Sequence, residues 1–227
     1  MLIAEDLLLL LTDDDSGKLV ASADGVDVAL GGAMLIELTL LGRVDVAGPG
    51  ESVRKGRLLV KDAGPTPDPL LDEALAQLVG KQGKRPAAVV SALGKGMRRR
   101  LYARLTDRGL LRAESGKVLG IFPSRQWPTE DAAHEESVRL LLAHALRVGA
   151  TDNPRVAALV SLLQALNVVQ KVVGSETVGL SKKEMKANAK QVAEGDWGSE
   201  AVRKAIDAMN AAVLASVSAA VAAGASS

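Results

Sequence analysis

The chain has 227 residues, 48% of them hydrophobic but only 2% aromatic, and its 28 Lys and Arg nearly balance 27 Asp and Glu for a net charge of +1. That length can bury a substantial core, and the shortage of rings means the core is built from Leu, Val, Ala and Ile, a composition that favours helices. The absence of cysteine excludes disulfides and thiolate metal sites. Near-neutral charge argues against a dedicated nucleic-acid binder, and no apolar run reaches the length of a membrane span.

The opening "MLIAEDLLLLL" carries Glu5 and Asp6 and lacks the basic start of a secretory signal, so it reads as a helix over residues 1–11 of a soluble cytoplasmic protein. "TDDDSGK" (12–18) is a turn. A short extended segment then leads into a helix whose apolar positions, among them Leu35, Ile36, Leu38 and Leu41, wrap most of its circumference, which predicts burial on nearly all sides. Glu37 inside it needs a partner, and Arg43 is the nearest candidate. Residues 43–64 alternate apolar and polar with Gly and Pro between, as in a hairpin. "TPDPLLDEALAQLVGK" (66–81) has proline at its start, acids in the first turns and Gly80-Lys81 at its end, the punctuation of a helix.

From Ala87 the pattern is helix, turn at "LGKG", a second helix to about Arg108 with Gly109 as its stop, and then two short strands around "ESGK". Four further helices are predicted over about 130–148, 152–173, 181–193 and 198–223, with residues 173–191 polar enough for a mobile connection carrying one exposed helix. The sum is a mainly α protein, a single globular domain over residues 1–227 with about eight helices and one or two β-hairpins.

Catalytic chemistry finds no footing. "HEES" at His134 has Val138 where a zinc-protease helix needs its second histidine, and no phosphate-binding loop or nucleophile elbow occurs. Asp72 and Glu73 read as dipole-compensating surface charges, and Asp13, Asp14 and Asp15 as an ordinary turn. The chain therefore reads as a non-enzyme, with no metal or cofactor implied.

The strongest signal is "GKGMRRRLYARLTDRGLL" (94–111). On a helix over 96–108, Met97, Leu101 and Leu105 fall on one face and anchor it to the core. Lys95 and Arg98, three apart, can converge on one anion near the helix start, where free N–H groups add donors. Arg99 flanks the same face, and Arg offers two-pronged geometry to a phosphate. Arg104 and Arg108 read as surface charge. A solvated basic face is one alternative. A winged helix, with the basic helix in a DNA groove and the hairpin as wing, is another.

Four segments in this order, "EDLLLLL" near the start, "LGGAMLIELTLLGR" (30–43), "DPLLDEAL" (68–75) and "RRRLYARLTDRGLL" (98–111), resemble the Golgi phosphoprotein 3 family, in particular its small bacterial members. The resemblance covers essentially the whole chain. It implies a helical domain with a central helical bundle and a projecting β-hairpin. It also implies a peripheral membrane protein binding an anionic phospholipid headgroup, since eukaryotic members bind phosphatidylinositol 4-phosphate at the Golgi membrane and help retain glycosyltransferases. Their headgroup pocket uses a tryptophan, an arginine before the "MLIEL" helix, and two basic positions three apart on a later helix.

The basic pair falls on Lys95 and Arg98, whereas the arginine falls on Gly31 and the tryptophan near Ser22. Arg99, Arg100 or Lys18 could make up the lost charge. The family's hairpin matches residues 114–122 and offers Val118, Leu119 and Ile121 to a membrane, to a partner, or to a second copy in a homo-oligomer. The coat-recruiting role of the arginine-rich tail of eukaryotic members is not expected to carry over. A protein–protein adaptor or scaffold without lipid binding is the rival function, and no nucleic acid is expected.

Overall fold

The computed structural model describes residues 1–118 and 122–195 together with Asp207, Ala211, Leu214 and Ala215. At its centre lies α1 (Ile3–Leu10), buried on every side including Glu5 and Asp6. Beside it α2 (Ala23–Leu40) starts at Ser22, whose hydroxyl accepts the Gly25 N–H and so satisfies one of the unpaired donors of the first turn. Every residue of α2 from Val28 to Thr39 is buried, as the all-round apolar pattern predicts.

The first hairpin joins β1 (Val44–Val46) to β2 (Leu58–Val60), antiparallel with Val44 opposite Val60. In α3 (Pro69–Val79), Asp68 accepts the Leu70 N–H and proline takes the first helical position, where no N–H is missed. Next come α4 (Ala87–Gly94) and α5 (Met97–Asp107), joined by Lys95 and by Gly96 in the left-handed region. The second hairpin pairs β3 (Glu114–Val118) with β4 (Phe122–Gln126). "ESGK" thus lies within a strand rather than at the turn, because the pairing runs on to Val118 opposite Phe122.

α6 (Ala133–Val148) and α7 (Pro154–Ala165) complete the wall around α1, and α8 (Val169–Val173), α9 (Ser175–Val178) and α10 (Lys182–Glu194) come after them. Where one helix was predicted over 152–173 there are two, because Asn167 takes a positive φ of 57°. α10 is more than an exposed helix on a connection. Met185, Ala189 and Val192 form a buried stripe against α7 and α6. The helix expected over 198–223 lies almost wholly outside the described residues.

Two features of the core fix α4 and α5, which carry the basic stretch. The first is a crossing of α2 and α4 with no side chain between them at one point: a Cβ on Gly31 would meet the Val90 carbonyl oxygen at 2.0 Å, and one on Gly94 would meet that of Asp27 at 1.8 Å. The helices are held at backbone contact, and only glycine permits it.

The second is a set of buried carboxylates on α1 and α2. Glu5 accepts the Leu2 N–H at 2.7 Å and faces Arg104 (2.9 Å) and Arg108 (3.1 Å). Asp6 faces His134 at 2.8 Å and Arg155 at 3.5 Å. Glu37 accepts the Ile3 N–H at 2.6 Å and pairs with Arg155. Arg43, predicted for Glu37, instead pairs with Asp62. A buried carboxylate has to be paired, and here the partners come from α5, α6 and α7, binding those helices to the centre by polar as well as apolar contact.

Candidate anion-binding site

The basic stretch divides once its partners are placed. Arg100 reaches Glu73 at 2.6 Å on the surface of α3. Arg104 grips Asp68 with two nitrogens while also facing Glu5, and its hydrogen bond holds the Asp68 carboxyl below the usual carboxylate range. Arg104 and Arg108 are therefore structural rather than surface charge, a correction that comes from the burial of Glu5. Lys95 and Arg99 make no ion pair with any described residue, and both are exposed.

Between α5 and the loop before α2 lies a cavity of about 460 Å³. Lys18, Asp27, Arg98, Arg99, Tyr102 and Trp127 are on its wall. Lys95 is one residue before the Gly96 that lines it. Tyr102 and Trp127 stack with ring centroids 4.0 Å apart and planes within 2°, a pairing worth about 1 kcal/mol beyond its buried area. Thr12 spends its hydroxyl hydrogen on the Leu8 carbonyl at 2.7 Å, so at 2.9 Å the Tyr102 hydroxyl is the donor to Thr12. The phenol is thereby tied to α1, and burial pushes its pKa up.

Trp127 is placed by backbone. Its N–H donates to the Gly17 carbonyl at 3.1 Å, and the Thr129 N–H donates to the Asp14 carbonyl at 3.0 Å. Gly17 has φ 59°, and a Cβ there would meet the Trp127 nitrogen at 2.2 Å. Two of the three aspartates of this turn are engaged: Asp13 accepts from the Ser16 amide and hydroxyl, which lower its pKa, and Asp14 accepts from Thr129 and faces Arg139.

The wall carries three cations and one carboxylate, a formal charge of +2. Arg98 Nε stands 3.0 Å from Asp27 Oδ1. Burial is the main influence on Asp27 and raises its pKa, with Arg98 opposing. Arg98 is thus shared between Asp27 and the cavity, while Lys18 and Arg99 are free to meet a ligand.

The model of the family described as Golgi phosphoprotein 3 (GPP34) matches residues 3–209. The chain belongs to the Golgi phosphoprotein 3 family. It is also similar to vacuolar protein sorting-associated protein 74 of Eremothecium gossypii, 30% identical over a region covering 60% of this chain and 46% of that relative. The chain thus matches about half the length of the curated relative.

Within this Golgi phosphoprotein 3 member, two of the positions that the resemblance equates with the eukaryotic pocket have other duties. Ser22 caps α2, and Gly31 faces α4 at a distance that leaves no room for a side chain. Arg98 and Arg99 line the cavity together with Lys18, whereas Lys95 is not on its wall. An indole is present after all, supplied by Trp127 from the end of β4. Sequence reading overlooked Trp127 and Tyr102. The available signal was that Tyr102 comes four residues after Arg98 and so shares its face; nothing in the sequence places Trp127 beside it.

Asp27→Asn is expected to strengthen anion binding about fivefold, because it removes the one negative charge on the wall and releases Arg98; one charge near an anionic surface is worth about 1 kcal/mol. Titration of Trp127 fluorescence in a Trp197→Phe background with a soluble inositol phosphate measures it. Weaker binding by the variant would mean that Asp27 holds Arg98 in its binding pose.

Proposed function

We propose that the protein is a peripheral membrane protein whose cavity takes the phosphorylated headgroup of an anionic phospholipid, phosphatidylinositol 4-phosphate or a lipid of the same headgroup chemistry. The observation that carries this reading is the convergence of Lys18, Arg98 and Arg99 on one open cavity backed by the Tyr102–Trp127 stack. Cations suit the phosphate, Arg by two-pronged bonds, and an aromatic plane suits the apolar face of a headgroup ring. The role is binding, not turnover: the one carboxylate on the wall is tied to Arg98.

Family membership supports a membrane setting, and among the described residues no helix is long and apolar enough to cross a bilayer, so attachment is to the surface. Trp127 directly follows β4, so the second hairpin springs from the rim of the cavity. In this reading its tip, with Val118, Leu119 and Ile121, meets the bilayer or a partner, including a second copy, when the cavity is filled; Leu119 and Ile121 lie outside the described residues. Nucleic-acid binding is disfavoured because Arg98, Arg100, Arg104 and Arg108, which a groove-reading α5 would use, all face carboxylates.

Lys18→Ala/Arg99→Ala is expected to reduce partitioning onto vesicles containing phosphatidylinositol 4-phosphate about 30-fold, two basic residues at about 1 kcal/mol each. Flotation with vesicles of phosphatidylcholine alone, or with added phosphatidylserine or phosphatidylinositol 4-phosphate, measures it. Wild-type protein that floats with no anionic vesicle sinks the proposal. Equal flotation with both anionic lipids leaves surface attachment and removes headgroup selectivity.

A further inference from the structure

At the other end of α4 a second cavity, of about 390 Å³, opens between the β1–β2 loop, the start of the helix and Ala211. Arg54, Lys55, Arg57 and Arg85 are on its wall. We propose that it is a second anion site, built to hold a phosphate group. Unlike Arg98, Arg100, Arg104 and Arg108, these four cations face no carboxylate among the described residues, and their side chains donate no hydrogen bond to any of them. In a chain with a net charge of +1, so dense a group of unneutralised cations is a local field that attracts anions.

Backbone bonds hold the group in place. The Arg57 N–H donates to the Arg54 carbonyl at 3.1 Å, closing a turn in which Gly56 has φ 75°, and the Gly56 N–H donates to Ala47 at 2.8 Å. β2 is clamped to the loop before α4: Leu58 donates to Lys84 at 2.9 Å, and Gly83 donates to Leu58 at 2.8 Å. Arg85 is thereby fixed beside the turn. Ala87, the first residue of α4 and part of the wall, has an N–H with no backbone partner among the described residues. Three guanidinium groups, an ammonium and a free amide are the donors a phosphate takes.

This site shares no residue with the cavity of Lys18 and Arg99, so either can fail alone. Eight residues of α4, about 12 Å of helix, separate the two. The phosphate could belong to a bilayer lipid or to a soluble ester, and two arms of one experiment distinguish these sources.

In the first arm, inorganic phosphate is titrated at constant ionic strength into the full chain, monitored by amide NMR. The Gly56 and Ala87 amides should shift saturably, and Arg54→Ala/Arg85→Ala should weaken that response at least tenfold while Gly17 and Gly96 at the other cavity respond as in wild type. In the second arm, the same variant is floated with phosphatidylglycerol vesicles. Reduced flotation identifies the bilayer as the source; unchanged flotation with lost phosphate binding identifies a soluble phosphate ester. The proposal is overturned if the variant changes neither the NMR response nor flotation, or if the shifts match those produced by chloride. Both substituted residues are exposed, and an unchanged circular dichroism melt establishes that the variant is folded.

Discussion

Gly94→Ala is expected to destabilise the protein by about 3 kcal/mol, the upper range for forcing extra volume into a packed interface. The added Cβ would sit 1.8 Å from the Asp27 carbonyl oxygen, so α2 and α4 have to separate along the crossing. Gly31→Arg, which writes the family's pocket arginine into this chain, should do at least as much damage, with the Val90 carbonyl 2.0 Å from its Cβ. Urea denaturation measures both. Gly96→Ala is the comparison: nothing lies within 4 Å of its Cβ, and only its φ of 73° opposes the change, at a cost of about 1 kcal/mol. A Gly94→Ala protein within about 0.5 kcal/mol of wild type would show that the two helices are not locked at backbone contact.

Glu5→Gln should cost about 3 kcal/mol, the low end for breaking a buried ion pair by removing one partner. The amide keeps the shape but leaves Arg104 and Arg108 facing a neutral group, and Arg108, 39% exposed, recovers part of the loss from water. The companion pair has a pH signature. Asp68 is depressed by Arg104, so its contribution is fully present above the unfolded carboxylate pKa of about 3.9 and is lost as pH falls through its lower folded value. Denaturation midpoints at neutral pH and near pH 3 measure both effects. In Arg104→Gln, stability should fall less between those pH values than in wild type; an equal fall in both would exclude Asp68 as a source of acid sensitivity.

Local chemistry was legible wherever it was written within one turn of chain. Asp68 and Pro69 announce α3, and the all-round apolar pattern of α2 announces its burial. The family, the mainly α architecture and both hairpins come from such signals together with the motif order. Pairings across the chain were not legible. Glu37 is served by Arg155, 118 residues away, because α7 happens to start beside α1, while the neighbouring Arg43 points to Asp62. Arg104 and Arg108 looked like solvent charge because no periodicity reveals that Glu5, on a different helix, is buried opposite them. The break at Asn167 escaped notice because apolar Leu166 and Val168 flank it and no Gly or Pro marks it. At the site, α5 was recognised as the carrier of phosphate-seeking cations. Its aromatic wall was invisible, since Trp127 meets Tyr102 only after the loop at Gly17 and the end of β4 have come together.

The junction at Gly17 bears on how the protein can change. The indole is held by the bond from the Trp127 N–H to the Gly17 carbonyl and by its stack on Tyr102, both of them contacts with residues outside β3 and β4. The hairpin can therefore be lengthened, shortened or rewritten between lineages without moving the ring at its root. Surface preference and ligand recognition become separately evolvable: one is tuned in the hairpin's residues, and the other is inherited intact so long as position 17 carries no side chain.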